Sequence, residues 1–408
     1  MNVCGEARGM NNIEIEEKRK VLWQEYLECV RKDAKRLKEV DDQLMTIIGT
    51  DGKEISMKYG MKIIGEPGVD GYPLYIALHG GGQGDTPDLN NQQWEHMGIY
   101  YAEGVKSGIY VNPRGIRDTW DCHGNPESYY FYDRLITNLI AFKSVDPNRV
   151  YLMGFSAGGD GVYMITPKMA DRFAAVHMSA GHPNGISLIN LFNTPIQLQV
   201  GMNDDAFDRN HVTVEYEQYL DRLEKESNEN GMNETAKDYK HNCFVHIDKP
   251  HNFLDHGFVD QKVIADNAEW LKSGKITEKL ADTNAVHFLE KYVRNPLPEH
   301  IIWDLTCRED CRIYKNFYWL SIDENVKEGV IDVNIRNNDI YILPETTVKD
   351  GFKVLVNEKM IDINKPVVVH YPDGEIKKTS IEVSFDLMKK TMEQSGDYNY
   401  SFIDEIDI

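Results

Sequence analysis

Between residues 55 and 247, short apolar runs alternate with longer stretches that read as helices, and this alternation narrows the possible folds more than any other feature of the chain. The runs at 55–64, 74–78, 108–112, 150–154, 174–179, 195–200 and 243–247 have the length of strands, and Gly, Pro and Asn separate them. Helices are expected near 92–105, 128–142, 157–170 and 211–227. Strands that alternate with helices in this way predict an α/β fold, a doubly wound and mostly parallel sheet covered on both faces. Residues 228–242, with Asn228, Asn230, Gly231 and Asn233, are polar and read as an excursion before the last strand of that sheet.

The two ends of the chain have a different character. Leu22, Tyr26, Val30, Leu37, Val40 and Leu44 recur at three- and four-residue steps with one skipped turn, so residues 14–45 are expected to form one helix. It would be an arm packed on the body or on a second subunit. Beyond residue 275 a helix is expected near 280–292, followed by the stiff connector Asn295-Pro296-Leu297-Pro298. Ile331, Val333 and Ile335, then Phe352, Val354 and Val356, then Val367 to Val369 before Pro372-Asp373-Gly374, alternate with period two. That pattern predicts a small antiparallel β-sandwich, interrupted by a helix at 385–394. The expected organisation is an N-terminal helical arm (1–48), an α/β domain (49–275), a helical linker (276–298) and a C-terminal β-rich domain (299–408).

Composition limits the partners. Lys and Arg total 45 against 66 Asp and Glu, a net charge of −21 over 408 residues. Phosphate binding needs a clustered basic field, so neither a general nucleic-acid binder nor an anionic membrane surface fits. No run reaches the ~18 apolar residues of a membrane span, and the first twenty residues lack a signal-peptide core, so a cytoplasmic protein is expected. The six cysteines are scattered, which fits a reducing compartment. Only Cys307 and Cys311 lie close together. A structural zinc takes four ligands, so this pair reads as a surface loop and no metal is expected. No dinucleotide or phosphate-loop signature is present, so no cofactor is expected.

The chemistry is concentrated in four places. Gly154-Phe155-Ser156-Ala157-Gly158-Gly159 follows the strand at 150–154 and opens a helix. A serine in that strand–turn–helix setting stands clear of the sheet, and small neighbours let strand and helix approach. The helix N-terminus favours developing negative charge. His79-Gly80-Gly81-Gly82 follows the strand at 74–78, where glycines let backbone N–H groups approach a carbonyl oxygen. Gly81 or Gly82, together with Ala157, are the expected oxyanion donors. After the strand at 195–200 comes Gly201-Met202-Asn203-Asp204-Asp205, and after the strand at 243–247 comes Asp248-Lys249-Pro250-His251. Ser156, Asp204 and His251 thus fall at the carboxyl ends of strands, in the order expected for nucleophile, orienting acid and base. Asp205 and Asp208 compete with Asp204, and His256 competes with His251.

The stretches HGGG at 79–82, NPRG at 112–115, DTW at 118–120, GFSAGGDG at 154–161, AGHPNG at 180–185, GMNDDAFDRN at 201–210 and DKPHNF at 248–253 resemble the α/β-hydrolase superfamily. Within it they resemble serine esterases of the prolyl-oligopeptidase-like and feruloyl-esterase-like bacterial groups. The resemblance covers under half of the chain. It implies a Ser156–Asp204–His251 triad, an oxyanion hole from the His79 loop and Ala157, and hydrolysis of a small-molecule carboxylic ester through an acyl-enzyme. A peptidase or acyltransferase would use the same triad, and a catalytically weak binding or scaffold protein is the alternative from another class. Trp120 and His182 are expected to touch substrate, and His79 either to touch it or to brace its loop. Arg209 is expected to form a structural ion pair. Tyr129, Tyr130, Phe131 and Tyr132 either line the site or pack a helix. Trp303, Tyr314, Phe317, Tyr318 and Trp319 are either a carbohydrate platform or core. The arm or the β domain is the expected surface for a homo-oligomer.

Overall fold

The computed structural model describes residues 11–49, 51–82, 87–229, 238–257, 260–306 and 315–408. Its contacts separate two compact units, one spanning residues 34–295 and the other joining the chain up to Asp33 to residues 296–306 and 315–408.

The 34–295 unit is built on a ten-stranded sheet. Its strands are β1 (Leu44–Ile48), β2 (Glu54–Ile64), β3 (Tyr72–Leu78), β4 (Gly108–Pro113), β5 (Val145–Phe155), β6 (Ala175–Ser179), β7 (Ile196–Gly201), β8 (His241–His246), β9 (Asp260–Ile264) and β10 (Glu278–Asp282). They lie in the order β1-β2-β4-β3-β5-β6-β7-β8-β9-β10. The six strands from β4 to β8 are mutually parallel, while β1 and β2 at one edge and β9 and β10 at the other pair antiparallel. Leu74 to Leu78 of β3 are buried without interruption, because both faces of the strand are covered and no residue has to be polar. The loops after β3, β5, β7 and β8 therefore leave the sheet along one edge, and the four chemical stretches lie on them.

The helices of this unit run in the chain order expected. Numbered from the N-terminus of the whole chain, α1 (Asn12–Lys32) lies in the other unit, and this one holds α2 (Ala34–Asp41), α3 (Pro87–Tyr100), α4 (Pro126–Lys143), α5 (Ala157–Met169), α6 (Arg209–Glu229), α7 (Asn267–Ser273) and α8 (Ala285–Leu289). Tyr129, Phe131 and Tyr132 are buried on α4, so they serve helix packing and not a site wall.

Two expectations are corrected here. The single helix at 14–45 is broken at Asp33, which adopts extended backbone with φ −73° and ψ 105°. Leu37 and Leu44, counted in its apolar stripe, are both 43% exposed. What fixes α2 is polar: Arg36 donates to Asn138 Oδ1 at 2.7 Å and Thr137 Oγ1 at 3.0 Å, and Arg134 and Asn138 donate to Glu39 Oε2. The helix expected near 280–292 is also shorter, because residues 278–282 form the exposed edge strand β10 and only 285–289 are helical. The structure thus divides the expected arm between the two units.

In the other unit, α1 starts at a capping box in which Asn11 Oδ1 accepts from the N–H groups of Ile13 and Glu14. Ile15 and Leu22 of α1 pack with Met388, Met392 and Ile403, and α9 (Phe385–Ser395) supplies the two methionines. Buried Arg19 pairs with Glu358 through both carboxylate oxygens, at 2.7 and 2.6 Å, and donates to Ser401 Oγ at 2.7 Å. The remaining strands form a five-stranded and a four-stranded sheet, antiparallel but for one pair in which Asp339 to Tyr341 run parallel to Val368 to His370. Trp303, Phe317, Tyr318 and Trp319 are buried, so they are core and not a platform, while Tyr314, Cys307 and Cys311 lie outside the described residues. Among the described residues no helix is long and apolar enough to cross a membrane.

One half-buried carboxyl sets a pH dependence for the 34–295 unit. Burial pushes the Glu217 carboxyl on α6 from 4.5 up to about 7, although Asn267 donates to it at 3.0 Å. A carboxyl raised in the fold costs stability once it ionises; the cost grows from pH 4.5 and is complete above about pH 7. Glu217→Gln should therefore raise stability by roughly 2 kcal/mol at pH 8 and change it little at pH 4. Urea unfolding at both pH values measures this, and an equal gain at both would show that burial of the charge is not the cause.

Candidate active site

Ser156 sits alone between β5 and α5, with φ 59° and ψ −123°. L-residues avoid this region, and holding one there costs ~1–3 kcal/mol. The glycines around it show how the turn is held. A Cβ on Gly154 would lie 2.2 Å from the Gly158 carbonyl oxygen, and one on Gly158 would lie 2.1 Å from the Leu78 carbonyl oxygen. A Cβ on Gly159 would lie 2.6 Å from the Ser179 carbonyl oxygen. The Ser156 N–H donates to that same Ser179 oxygen at 2.9 Å. Helix, strand and turn are thus in backbone contact, and no side chain intervenes.

The other two residues arrive from β7 and β8. His251 Nε2 lies 3.0 Å from Ser156 Oγ, and His251 Nδ1 lies 2.7 Å from Asp204 Oδ2. Asp204 is buried, while the imidazole is about one-third exposed. The two loops are tied together, since Asn203 N–H donates to the Lys249 carbonyl at 2.8 Å. A Cβ on Gly201 would meet the Pro250 carbonyl oxygen at 2.3 Å, so the proline before His251 packs on a residue without a side chain. The Phe155 ring backs the imidazole at 5.7 Å. The competitors are placed elsewhere: Asp205 and Asp208 are exposed, and His256 Nδ1 pairs with Asp255 Oδ1 at 3.1 Å.

The loop after β3 is braced by a polar chain. Gly81 and Gly82 have φ of 104° and 99°, which suits glycine alone. Gly82 N–H already donates to Asn90 Oδ1 at 2.6 Å, and Asn90 Nδ2 donates to Asp118 Oδ1 at 2.7 Å. Arg114 pairs with Asp118 in turn, which gives the NPRG and DTW stretches a structural purpose. Against the upward push of burial, Arg114 and Asn90 hold the Asp118 carboxyl below its usual range. Gly82 is therefore engaged within the protein, whereas the N–H groups of Gly81 and Ala157 have no hydrogen-bond partner among the described residues.

His79 does not reach a substrate. It is fully buried, its Nδ1–H donates to the Gly80 carbonyl at 2.6 Å, and its Nε2 accepts from Gly115 N–H at 3.0 Å. Burial pushes its pKa down to about 4, so it is a neutral brace. Cys122 and His123 lie beside it, but the His123 nitrogens are engaged by Tyr132 Oη and the His79 carbonyl, both at 3.0 Å. That cluster has no free ring nitrogen for a metal.

A cavity of about 490 Å³ opens next to this constellation, lined by Trp120, His182, Asp160, Met164, Phe207 and Arg209 among others. It adjoins Ser156: Asp160 N–H donates to the Ser156 carbonyl at 3.0 Å, and Trp120 and Ala157 both flank Gly82. Asp160 accepts from His182 N–H at 2.7 Å, and burial pushes its carboxyl up to about 6. Arg209 forms no ion pair within 4.0 Å among the described residues, contrary to expectation, because Asp205 and Asp208 point outward from the same turn. Sequence reasoning also passed over Asp160, although it lies inside GFSAGGDG, and Asp255, which accepts from His177, Ser179 and Tyr101 at 2.9, 2.5 and 2.6 Å. The signal for both was a carboxylate in an otherwise apolar or glycine-rich stretch.

No family model matches the chain. It is 30% identical over 154 residues to a bifunctional acetylxylan esterase/xylanase of Neocallimastix patriciarum, a match covering 37% of this chain and 22% of that protein. It is 27% identical over 110 residues to feruloyl esterase D of Neurospora crassa, covering 27% of this chain and 37% of that protein. The chain thus spans between 22% and 37% of the length of these curated relatives. Among solved structures, a thermostable esterase aligns over 62% of this chain and 64% of its own with 21% identity and a TM-score of 0.39. In sheet order and in its Ser156 turn the 34–295 unit has the α/β-hydrolase arrangement, and the curated proteins it is similar to are esterases.

Proposed function

We propose that the protein is a serine hydrolase of carboxylic esters, with Ser156 as nucleophile, His251 as general base and Asp204 as the residue that orients the imidazole. The observation that carries this reading is the pair of contacts at 3.0 and 2.7 Å, made by side chains 95 and 47 residues apart in sequence. The esterase relatives support the same chemistry.

Ser156 Oγ attacks the ester carbonyl carbon as its proton passes to His251 Nε2. Asp204, accepting from Nδ1–H, fixes the tautomer that leaves Nε2 free and stabilises the imidazolium. The new oxyanion is met by the N–H groups of Gly81 and Ala157, at the positive end of α5. Collapse expels the alkoxide, which takes the proton from Nε2 and leaves as alcohol. Water then repeats the sequence on the acyl-enzyme, giving its proton to Nε2 and releasing the acid. Each donor of this kind is worth ~3 kcal/mol to the transition state.

Two variants test the assignment on 4-nitrophenyl acetate. Ser156→Ala should lower kcat by more than ~10³-fold without lowering Tm, and should not be labelled by a fluorophosphonate. Normal turnover by this variant would end the proposal. Asp204→Asn keeps the shape of the site but favours the wrong tautomer, so kcat should fall ~10³–10⁴-fold. A loss under tenfold would remove Asp204 from the mechanism.

A further inference from the structure

Six arginines are buried among the described residues: Arg19, Arg36, Arg114, Arg172, Arg209 and Arg294. Five of them are satisfied inside the protein. Arg19, Arg114 and Arg172 pair with Glu358, Asp118 and Asp133. Arg36 donates to Asn138 and Thr137, and Arg294 donates to Asn148 and the Asp171 carbonyl. Arg209 is the exception. It is 5% exposed, its Nη1 donates to the Ala206 carbonyl at 3.1 Å, and its buried Nε has no partner. A buried cation without a hydrogen-bonded counter-ion is costly, so its retention asks for an anion that arrives from outside.

The surroundings of Arg209 point the same way. It lines the cavity beside Ser156. The chain reaches it through Phe207 and Asp208, two successive non-glycine residues with φ of 57° and 58°. That strained approach holds the Phe207 ring 4.9 Å from the guanidinium and 6.0 Å from Trp120, and both rings are exposed, by 65% and 48%. Two exposed aromatics thus frame the mouth of a cavity whose cation is unpaired. Asp160, which also lines the cavity, feels the Arg209 charge but forms no ion pair with it within 4.0 Å, and it accepts from the His182 N–H.

We propose that this cavity is a subsite for an anionic group of the ester, with Arg209 as its counter-ion and Trp120 and Phe207 as its walls. The substrate class is esters that carry a carboxylate on the acyl or the alcohol side. This rests on the reading of Ser156 as nucleophile and adds a specificity-determining residue to it.

The test compares charged esters with neutral ones of the same shape. Mono-(4-nitrophenyl) glutarate against its methyl ester reads the acyl side, and 4-acetoxybenzoate against its methyl ester reads the alcohol side. Wild type should prefer the charged member of one pair by about tenfold or more in kcat/KM, chiefly through KM. Arg209→Gln should reduce that preference by ~10–100-fold, as loss of a charge-assisted hydrogen bond does, and Arg209→Lys should restore part of it. Turnover of the neutral esters without preference in either pair would overturn the subsite and leave the esterase reading intact. A preference unchanged in Arg209→Gln would also overturn it. Binding of butanoate, followed by calorimetry, is independent of turnover and should be present in wild type and lost in Arg209→Gln; wild type that binds no carboxylate ends the proposal even if no ester is cleaved. Arg209→Met should not lower the Tm of the ligand-free protein, since an unpaired charge is removed, whereas a large fall would assign Arg209 a structural role.

Discussion

The approach of α5 to the end of β3 is the constraint on which the rest of the site depends. There is no room for a side chain between Gly158 and the Leu78 carbonyl. Leu78 is the last residue of β3, and the next four residues are the braced loop that presents Gly81. One backbone contact therefore fixes the Ser156 turn and the Gly81 loop against each other. Neither spacing depends on a rotamer, so the proposed nucleophile and oxyanion donors are set by the sheet itself. His251 is joined to this rigid part more loosely, through the Asn203–Lys249 hydrogen bond and the packing of Pro250 on Gly201.

Two Ser-His-Asp groupings occur among the described residues of the 34–295 unit, and their hydrogen bonds and surroundings separate them. His177, Ser179 and Asp255 are fully buried, with His177 Nε2 3.1 Å from Ser179 Oγ and 2.9 Å from Asp255. Against the upward push of burial, His177 and His256 hold the Asp255 carboxyl far below its ordinary range. All three side chains are shut off from solvent, and the serine carbonyl, by accepting from Ser156 N–H, supports the turn. In the other grouping the two ring nitrogens divide the work, His251 Nδ1 meeting Asp204 and Nε2 meeting Ser156, and the three residues lie at strand ends beside an open cavity, whereas His177 Nε2 meets both Ser179 and Asp255 and Ser179 Oγ donates directly to Asp255. Side-chain identity alone does not distinguish structure from chemistry here; the ring nitrogen each partner uses and the access to it do.

How much could be read in advance follows the same division. The strands β3 to β8 and helices α3 to α6 were legible because the buried strands are rich in apolar residues, even where β7 carries the buried Gln197 and Gln199, and their connecting helices are long. Ser156, Asp204 and His251 were legible because strand ends are marked by glycine, proline and asparagine. The edge strands β9 and β10 were not, since residues such as Glu278, Lys279 and Leu280 are exposed and carry no burial pattern. The break at Asp33 was hidden because apolar spacing continues past it, while α2 is held by the buried ions Arg36 and Glu39. The engagement of Gly82 by Asn90 needed the fold, since which N–H of a glycine run is free depends on a residue eight positions away.

Arg209 shows why an unexplained residue carries information once its neighbours are accounted for. Its sequence context, between Asp205, Asp208 and other polar residues, reads as a surface ion pair. In the fold those carboxylates are exposed and the guanidinium is not. The backbone strain at Phe207 and Asp208 and the unpaired charge are separate costs, and both fall on one wall of one cavity. A chain free to relax would relieve either by a glycine or a nearer carboxylate. Features that persist together against stability are expected where binding occurs, because there the missing interaction is supplied by the ligand.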